Sequence, residues 1–151
     1  MDTVATGRIA FWEGGSLWVM NVPTGEDAPD RIAMHSHHAF QLTFSLGGDF
    51  SLHLEDRVVG GPFAIVAPDA PHAFEAQGRI SLLFIEPESR AGRALGQLMQ
   101  GKPASQLSAE QVGDAPALFG AAFEHPTDPI KELVAAGTEV AARIAAHVRT
   151  T

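Results

Sequence analysis

Histidines carry the first chemical signal in this chain. His35 and His37 stand one residue apart in MHSHHAFQLTFSL, Met34 to Leu46, and Gln41 follows in the same run. In an extended strand, side chains alternate between faces, so His35, His37 and Gln41 share one face while Phe40, Leu42, Phe44 and Leu46 share the other. Another imidazole, His72, follows Pro71 in PDAPHAF, Pro68 to Phe74, just after the apolar run Phe63 to Ala67. Neutral imidazole is the commonest metal ligand, and a Gln carbonyl oxygen is a weaker, uncharged one. Three imidazoles and one carbonyl, converging from two strands, would hold a divalent transition metal with positions left for water or a ligand. The expected ligand set is His35, His37, Gln41 and His72. Its donors are all uncharged, so the metal keeps its positive charge and favours an anionic ligand. Zn, Fe, Ni and Mn all remain open, and no catalytic residue is assigned.

The other titratable and aromatic residues have plainer readings. His38 replaces His37 only if the strand slips by one residue, which also inverts the apolar face. His53 reads as satisfied or exposed on a strand, and His125 and His147 as solvated in the C-terminal tail. Glu13 and Glu75 would act as acid or base only near a cavity mouth, with desolvation raising their pKa values. Trp12, Trp18, Phe40, Phe44, Phe63 and Phe74 read as core. No Gly-rich phosphate loop and no G-x-S-x-G elbow is present.

The elements that must position the histidines are short strands. RIAFWEGGSLWVMNV, Arg8 to Val22, reads as a hairpin around Glu13-Gly14-Gly15, with the Gly pair supplying positive φ. Pro23 to Asp30 is a polar, acidic loop. After the histidine strand, Gly47-Gly48-Asp49 turns the chain into an alternating strand, Phe50 to Glu55, expected to pair with its predecessor. Phe63 to Ala67 and Arg79 to Glu86 read as buried strands. Such strands, separated by Gly- and Pro-bearing turns, indicate an all-β sandwich or barrel over residues 1–87. Residues 88–151 are Ala-rich and helical. One helix carries Ala91, Leu95, Leu98 and Met99 and stops at Gly101 and Pro103. Ser108 with Gln111 forms a capping box before a stretch including Leu118, Phe119, Ala122 and Phe123. Asp128 and Pro129 open the last helix, where Ile130, Leu133, Val134, Gly137, Val140, Ala141, Ile144 and Val148 make a stripe. The barrel, the other helices or a second subunit must cover that stripe, and a homodimer is one expectation.

Composition narrows the function. With 45% hydrophobic residues, the 151-residue chain has enough apolar material for a core. Ten Lys and Arg against 18 Asp and Glu leave a formal charge of -8, which opposes phosphate contacts, so direct nucleic-acid binding is not expected. No segment has the length of a membrane span and no leader pattern opens the chain. The absence of cysteine excludes disulfides and thiolate ligation. The expectation is a soluble, cytoplasmic protein.

These residues resemble the cupins, whose first motif places H-x-H a few residues ahead of Glu. His35-Ser36-His37 matches it, with Gln41 in the place of the Glu and Gly47 beyond. The second motif orders Gly, Pro, Gly and His, and Gly61, Pro68 and His72 match it with Ala70 in the place of the second Gly. The resemblance covers Arg8 to Glu86 and implies a double-stranded β-helix, or jelly-roll barrel, followed by C-terminal α-helices. It also implies metal ligands at His35, His37, Gln41 and His72. A closer resemblance is to the N-terminal sensor domains of AraC-type transcription regulators, carried by FWEGGSLWV, HSHHAFQLTFSL, VAPDAPHAFEA and LLFIEPESRAGRAL. It implies a small-molecule effector bound in the barrel, with the helices as linker or dimerisation segment. The helix-turn-helix domain that follows in those regulators has no counterpart before Thr151. The alternative that the cupin resemblance implies is a stand-alone metal-dependent enzyme of oxygenase, isomerase or lyase class.

Overall fold

The computed structural model describes residues 6–27, 31–124 and 129–150. Strands β1 (Thr6–Trp12) and β2 (Gly15–Val22) form the expected hairpin, with Trp12 opposite Gly15. Of the two glycines only Gly14 has positive φ, at 97°. Gly15 is needed for close approach instead, because a Cβ there would sit 2.7 Å from the Phe84 carbonyl oxygen.

Seven further strands follow: β3 (Ile32–His35), β4 (Phe40–Ser45), β5 (Asp49–His53), β6 (Val58–Gly60), β7 (Phe63–Val66), β8 (His72–Ile85) and β9 (Ala104–Gln106). One antiparallel sheet runs β1-β2-β8-β4-β7-β9. A second is built from β3, β5 and β6 around the other end of β8. The 14-residue β8 therefore belongs to both. Its half from Gly78 onward pairs with β2 and β4, and its half from His72 to Gln77 pairs with β3 and β5. Gly78, with φ at 81°, marks the change. The alternating strand after Gly47-Gly48 does not pair with its predecessor as the sequence suggests. Gly47, at φ 110°, turns the chain so that β5 joins β6 and β8 in the second sheet.

Alternation along the strands separates two apolar layers. Phe50, Leu52, Val59, Val66, Phe74, Ile80 and Leu82 fill the space between the sheets. Leu17, Val19, Leu42, Phe44, Ile65 and Leu83 face outward from the first sheet and meet the helices. Helix α1 (Arg90–Met99) is capped by Ser89, whose Oγ accepts the Gly92 N–H at 3.0 Å, and ends at Gln100 and Gly101, both at positive φ. The Ser108–Gln111 capping box is formed at α2 (Ala109–Val112). Helices α3 (Ala115–Glu124) and α4 (Pro129–Thr150) complete the layer. Phe119 of α3 meets Phe44 edge-on at 5.2 Å, and both are fully buried. Each such side chain stabilises the fold by about 1.5–3 kcal/mol.

The described part of the α4 stripe packs within its own chain: Val140, Ala141 and Ile144 are buried in this core, with Val134 packed against it. A Cβ on Gly137 would reach 2.4 Å from Trp12 Cη2, so glycine lets the indole lie on the helix. His125 and Asp128 lie outside the described residues, as do the side chains of Ala122, Phe123, Ile130, Leu133, His147 and Val148. No helix among the described residues is long and apolar enough to cross a membrane.

Candidate metal centre

The histidine stretch is not one strand. β3 ends at His35, residues 36–39 leave the ladder, and β4 begins at Phe40. The reason lies in the shared strand: His35 pairs with His72 in the second sheet, whereas Phe40 pairs with Ile85 in the first. The chain crosses between sheets in the interval. The crossover is pinned by the Asp69 N–H, which donates to the His37 carbonyl at 2.7 Å from the turn preceding His72. His37 thus reaches the cavity from a loop, not by alternation with His35. Within β4 the expected alternation holds, with Phe40, Leu42 and Phe44 toward the helices and Gln41 on the cavity side.

His35, His37 and His72 each bring a ring nitrogen within 4.8 Å of the other two. His72 is fully buried and the other two are half-buried. His35 Nδ1–H donates to the Ala33 carbonyl at 2.7 Å, and His72 Nδ1–H donates to the Ala70 carbonyl at 2.8 Å. These bonds assign the tautomer and leave both Nε2 lone pairs free, the outer-shell arrangement of metal-binding histidines. His35 Nε2 and His37 Nε2 are 3.0 Å apart, so without a cation His37 supplies the proton between them. Burial lowers the pKa of His37, and the neighbouring His35 and His72 lower it further. Burial also lowers the pKa of His72; its bond to the Ala70 carbonyl opposes this, and His35 adds to the lowering. Both imidazoles are therefore neutral at pH 7, the state a ligand needs.

Gln41 is buried, and its Nε2–H donates to Thr43 Oγ1 at 3.3 Å, which turns Oε1 toward His72 Nε2, also at 3.3 Å. With the His72 proton committed to Ala70, two lone-pair atoms face each other. A shared cation relieves that arrangement. The donor set, nitrogen with one amide oxygen, fits a borderline divalent transition metal.

His35 and His37 open onto a cavity of about 420 Å³, with the buried His72 behind them. Its apolar wall is Trp18, Ile32, Phe74, Leu82 and Phe84, with Ser16, His35, His37, His38 and Gln41 as polar groups. Trp18 and Phe84 meet edge-on at 6.0 Å, and Phe84 meets the His37 ring at 5.3 Å. Trp18 and Phe74 thus line the cavity, unlike Phe40, Phe44, Phe63 and Trp12, which belong to the helix-facing core. His38 does not replace His37. It is exposed and bridges Asp69 (Nδ1–Oδ2, 3.1 Å) and Glu88 (Nε2–Oε1, 2.6 Å). Its bond to Glu88, then that to Asp69, raises its pKa, and the same contact lowers that of Glu88. These partners lie 31 and 50 residues away, beyond any local pattern. His53 is satisfied by Glu75 at 2.6 Å, with Arg31 3.8 Å from the same carboxylate oxygen. Glu13 lines a different cavity, beside Trp12 and Arg90.

The two sheets sharing β8, with a histidine cluster between them and helices on one outer face, are the cupin fold. No protein-family model matches the chain, and no curated protein matches it. Solved structures do. The AraC-like transcriptional activator CuxR is 16% identical, with a TM-score of 0.58 over 96% of this chain and 55% of that chain. This chain thus spans about half of that regulator. KdgF from Halomonas sp. is 16% identical over 56% of this chain and 82% of its own, with a TM-score of 0.46. A cupin-2 domain containing protein from Shewanella frigidimarina is 14% identical over 58% and 85%, with a TM-score of 0.42. At 16% identity the likeness to CuxR is one of fold.

Proposed function

We propose that the chain is a ligand-sensing cupin domain that holds one divalent transition metal on His35, His37 and His72, with Gln41 beside them. The observation that carries this reading is the convergence of three imidazole nitrogens within 4.8 Å, two of them held by backbone carbonyls. When bound, the metal supplies a Lewis-acid centre for an anionic oxygen. The chain's own residues do the rest. Ala33 and Ala70 orient the rings, burial favours the unprotonated forms of His37 and His72, and Phe84 packs against the His37 ring with Trp18 beside it. The sensing role is supported by the likeness to an AraC-like activator over 96% of this chain, which includes the helical layer.

A second reading, a metal-dependent cupin enzyme, is favoured by one feature. Only three imidazoles and a weak amide donor surround the centre, leaving coordination positions that face the cavity. Turnover of a bound molecule separates it from the sensor.

The test is elemental mass spectrometry of protein purified without chelator. The expected result is near one equivalent of zinc, iron, nickel or manganese per chain. The double variant His35→Ala/His72→Ala is expected to lose that metal while keeping its circular dichroism spectrum, because the barrel core is apolar. Protein that carries no metal and takes up none on reconstitution refutes the reading.

A further inference from the structure

We infer that the cavity takes a compact amphiphile, an aromatic or branched apolar body with one oxyanion head, of which an aromatic carboxylate is the simplest member. The inference rests on the metal reading for the head and on the cavity wall for the body. Trp18, Ile32, Phe74, Leu82 and Phe84 line the cavity with rings and branched carbons, and His35 and His37 open onto the same space, Phe84 lying against the His37 ring at 5.3 Å. Ile32 is 50% exposed, and Phe11, which meets the Trp18 ring at 6.4 Å, is 70% exposed. Apolar surface at the rim of a concave site stands in water until a bound apolar body covers it.

The polar groups argue against the other common ligand classes. No Lys or Arg among the described residues lines the cavity, and the chain carries a formal charge of -8, so a phosphate ester or a dicarboxylate finds no second cation there. A polyol finds few partners, because Ser16 and Gln41 are the wall's polar side chains besides its histidines and both are partly engaged. Ser16 Oγ accepts from Trp18 Nε1 at 3.1 Å, and the Gln41 amide donates to Thr43. The several hydroxyls of a sugar would meet a mostly apolar wall. A single oxyanion, in contrast, balances a divalent ion held by uncharged donors.

The experiment is calorimetric titration of the zinc-loaded chain with benzoate, acetate and gluconate, which share one carboxylate and differ in body. Benzoate is expected to bind roughly tenfold or more tighter than acetate, from burial of the ring. Gluconate is expected to bind no tighter than acetate. Ile32→Ser is expected to weaken benzoate several-fold more than acetate, and equal loss for both overturns the role of the wall. With one equivalent of zinc bound, benzoate no tighter than acetate, or gluconate matching benzoate, overturns the inference and leaves the metal reading standing. Failure to take up zinc overturns the metal reading and the oxyanion head together.

Discussion

Gln41→Glu changes an amide into a carboxylate of nearly the same shape at a buried position 3.3 Å from His72 Nε2. In the metal-free protein at about pH 8 His37 and His72, whose pKa values burial lowers, are neutral, and the new charge beside His72 is desolvated. A half-open site reduces the penalty for a buried ion to about 2 kcal/mol, which for a chain of this length lowers Tm by roughly 4–8 °C. With a divalent ion bound the sign reverses. Two unit charges at about 4 Å attract by roughly 4 kcal/mol near a protein surface, and a divalent ion doubles that. After desolvation, a net gain of about 2–4 kcal/mol remains, which is roughly 30- to 1000-fold tighter binding. Thermal unfolding with chelator and with excess zinc, alongside competition titration against a chromogenic chelator, reads both states. The reasoning fails if the variant moves Tm in the same direction in both, or tightens zinc by less than about threefold.

Acid is expected to release the metal. His37 and His72 have folded-state pKa values below 6.5, so they bind protons less readily folded than unfolded, and stability rises with pH through that window. The contribution is complete above 6.5 and lost as pH falls toward the folded values, so zinc titrations at about pH 7.5 and 5.5 should show weaker binding at the lower. Ser81→Ala removes a fully buried hydroxyl without a hydrogen-bond partner and should raise stability by about 1 kcal/mol in urea unfolding. Gly137→Ala improves helix propensity by about 1 kcal/mol but forces Trp12 off the helix, and a net loss of about 1–2 kcal/mol with a shifted tryptophan emission is expected.

Local chemistry made much of this legible. The Ser108–Gln111 box, the Gly14 turn and the Gly101 stop each express their geometry within a few residues, and the structure forms all of them. What escaped depends on distant partners. Nothing near Ser36 announces that the chain changes sheets there, because the cause is the pairing of His35 and Phe40 with opposite halves of β8. The three residues of β9 carry too little pattern to read as a strand, and only the free edge of β7 makes them one. Trp18 and Phe74 read as core and do pack in the inter-sheet layer, and their added place in the cavity wall follows from the closure of the two sheets.

Strand β4 separates the histidines from the helices by the thickness of a single chain. Gln41 lies among the imidazoles on one side of it, and its neighbour Phe40 lies in the helix-facing core on the other. Phe40 reaches α1, where a Cβ on Gly96 would stand 4.0 Å from its Cζ. His38, at the near end of the same segment, grips Glu88, the residue before the α1 cap. The chamber and the helical layer therefore share a party wall. Gln41 and Phe40 are joined by one peptide bond, so the two rooms stand a single residue apart.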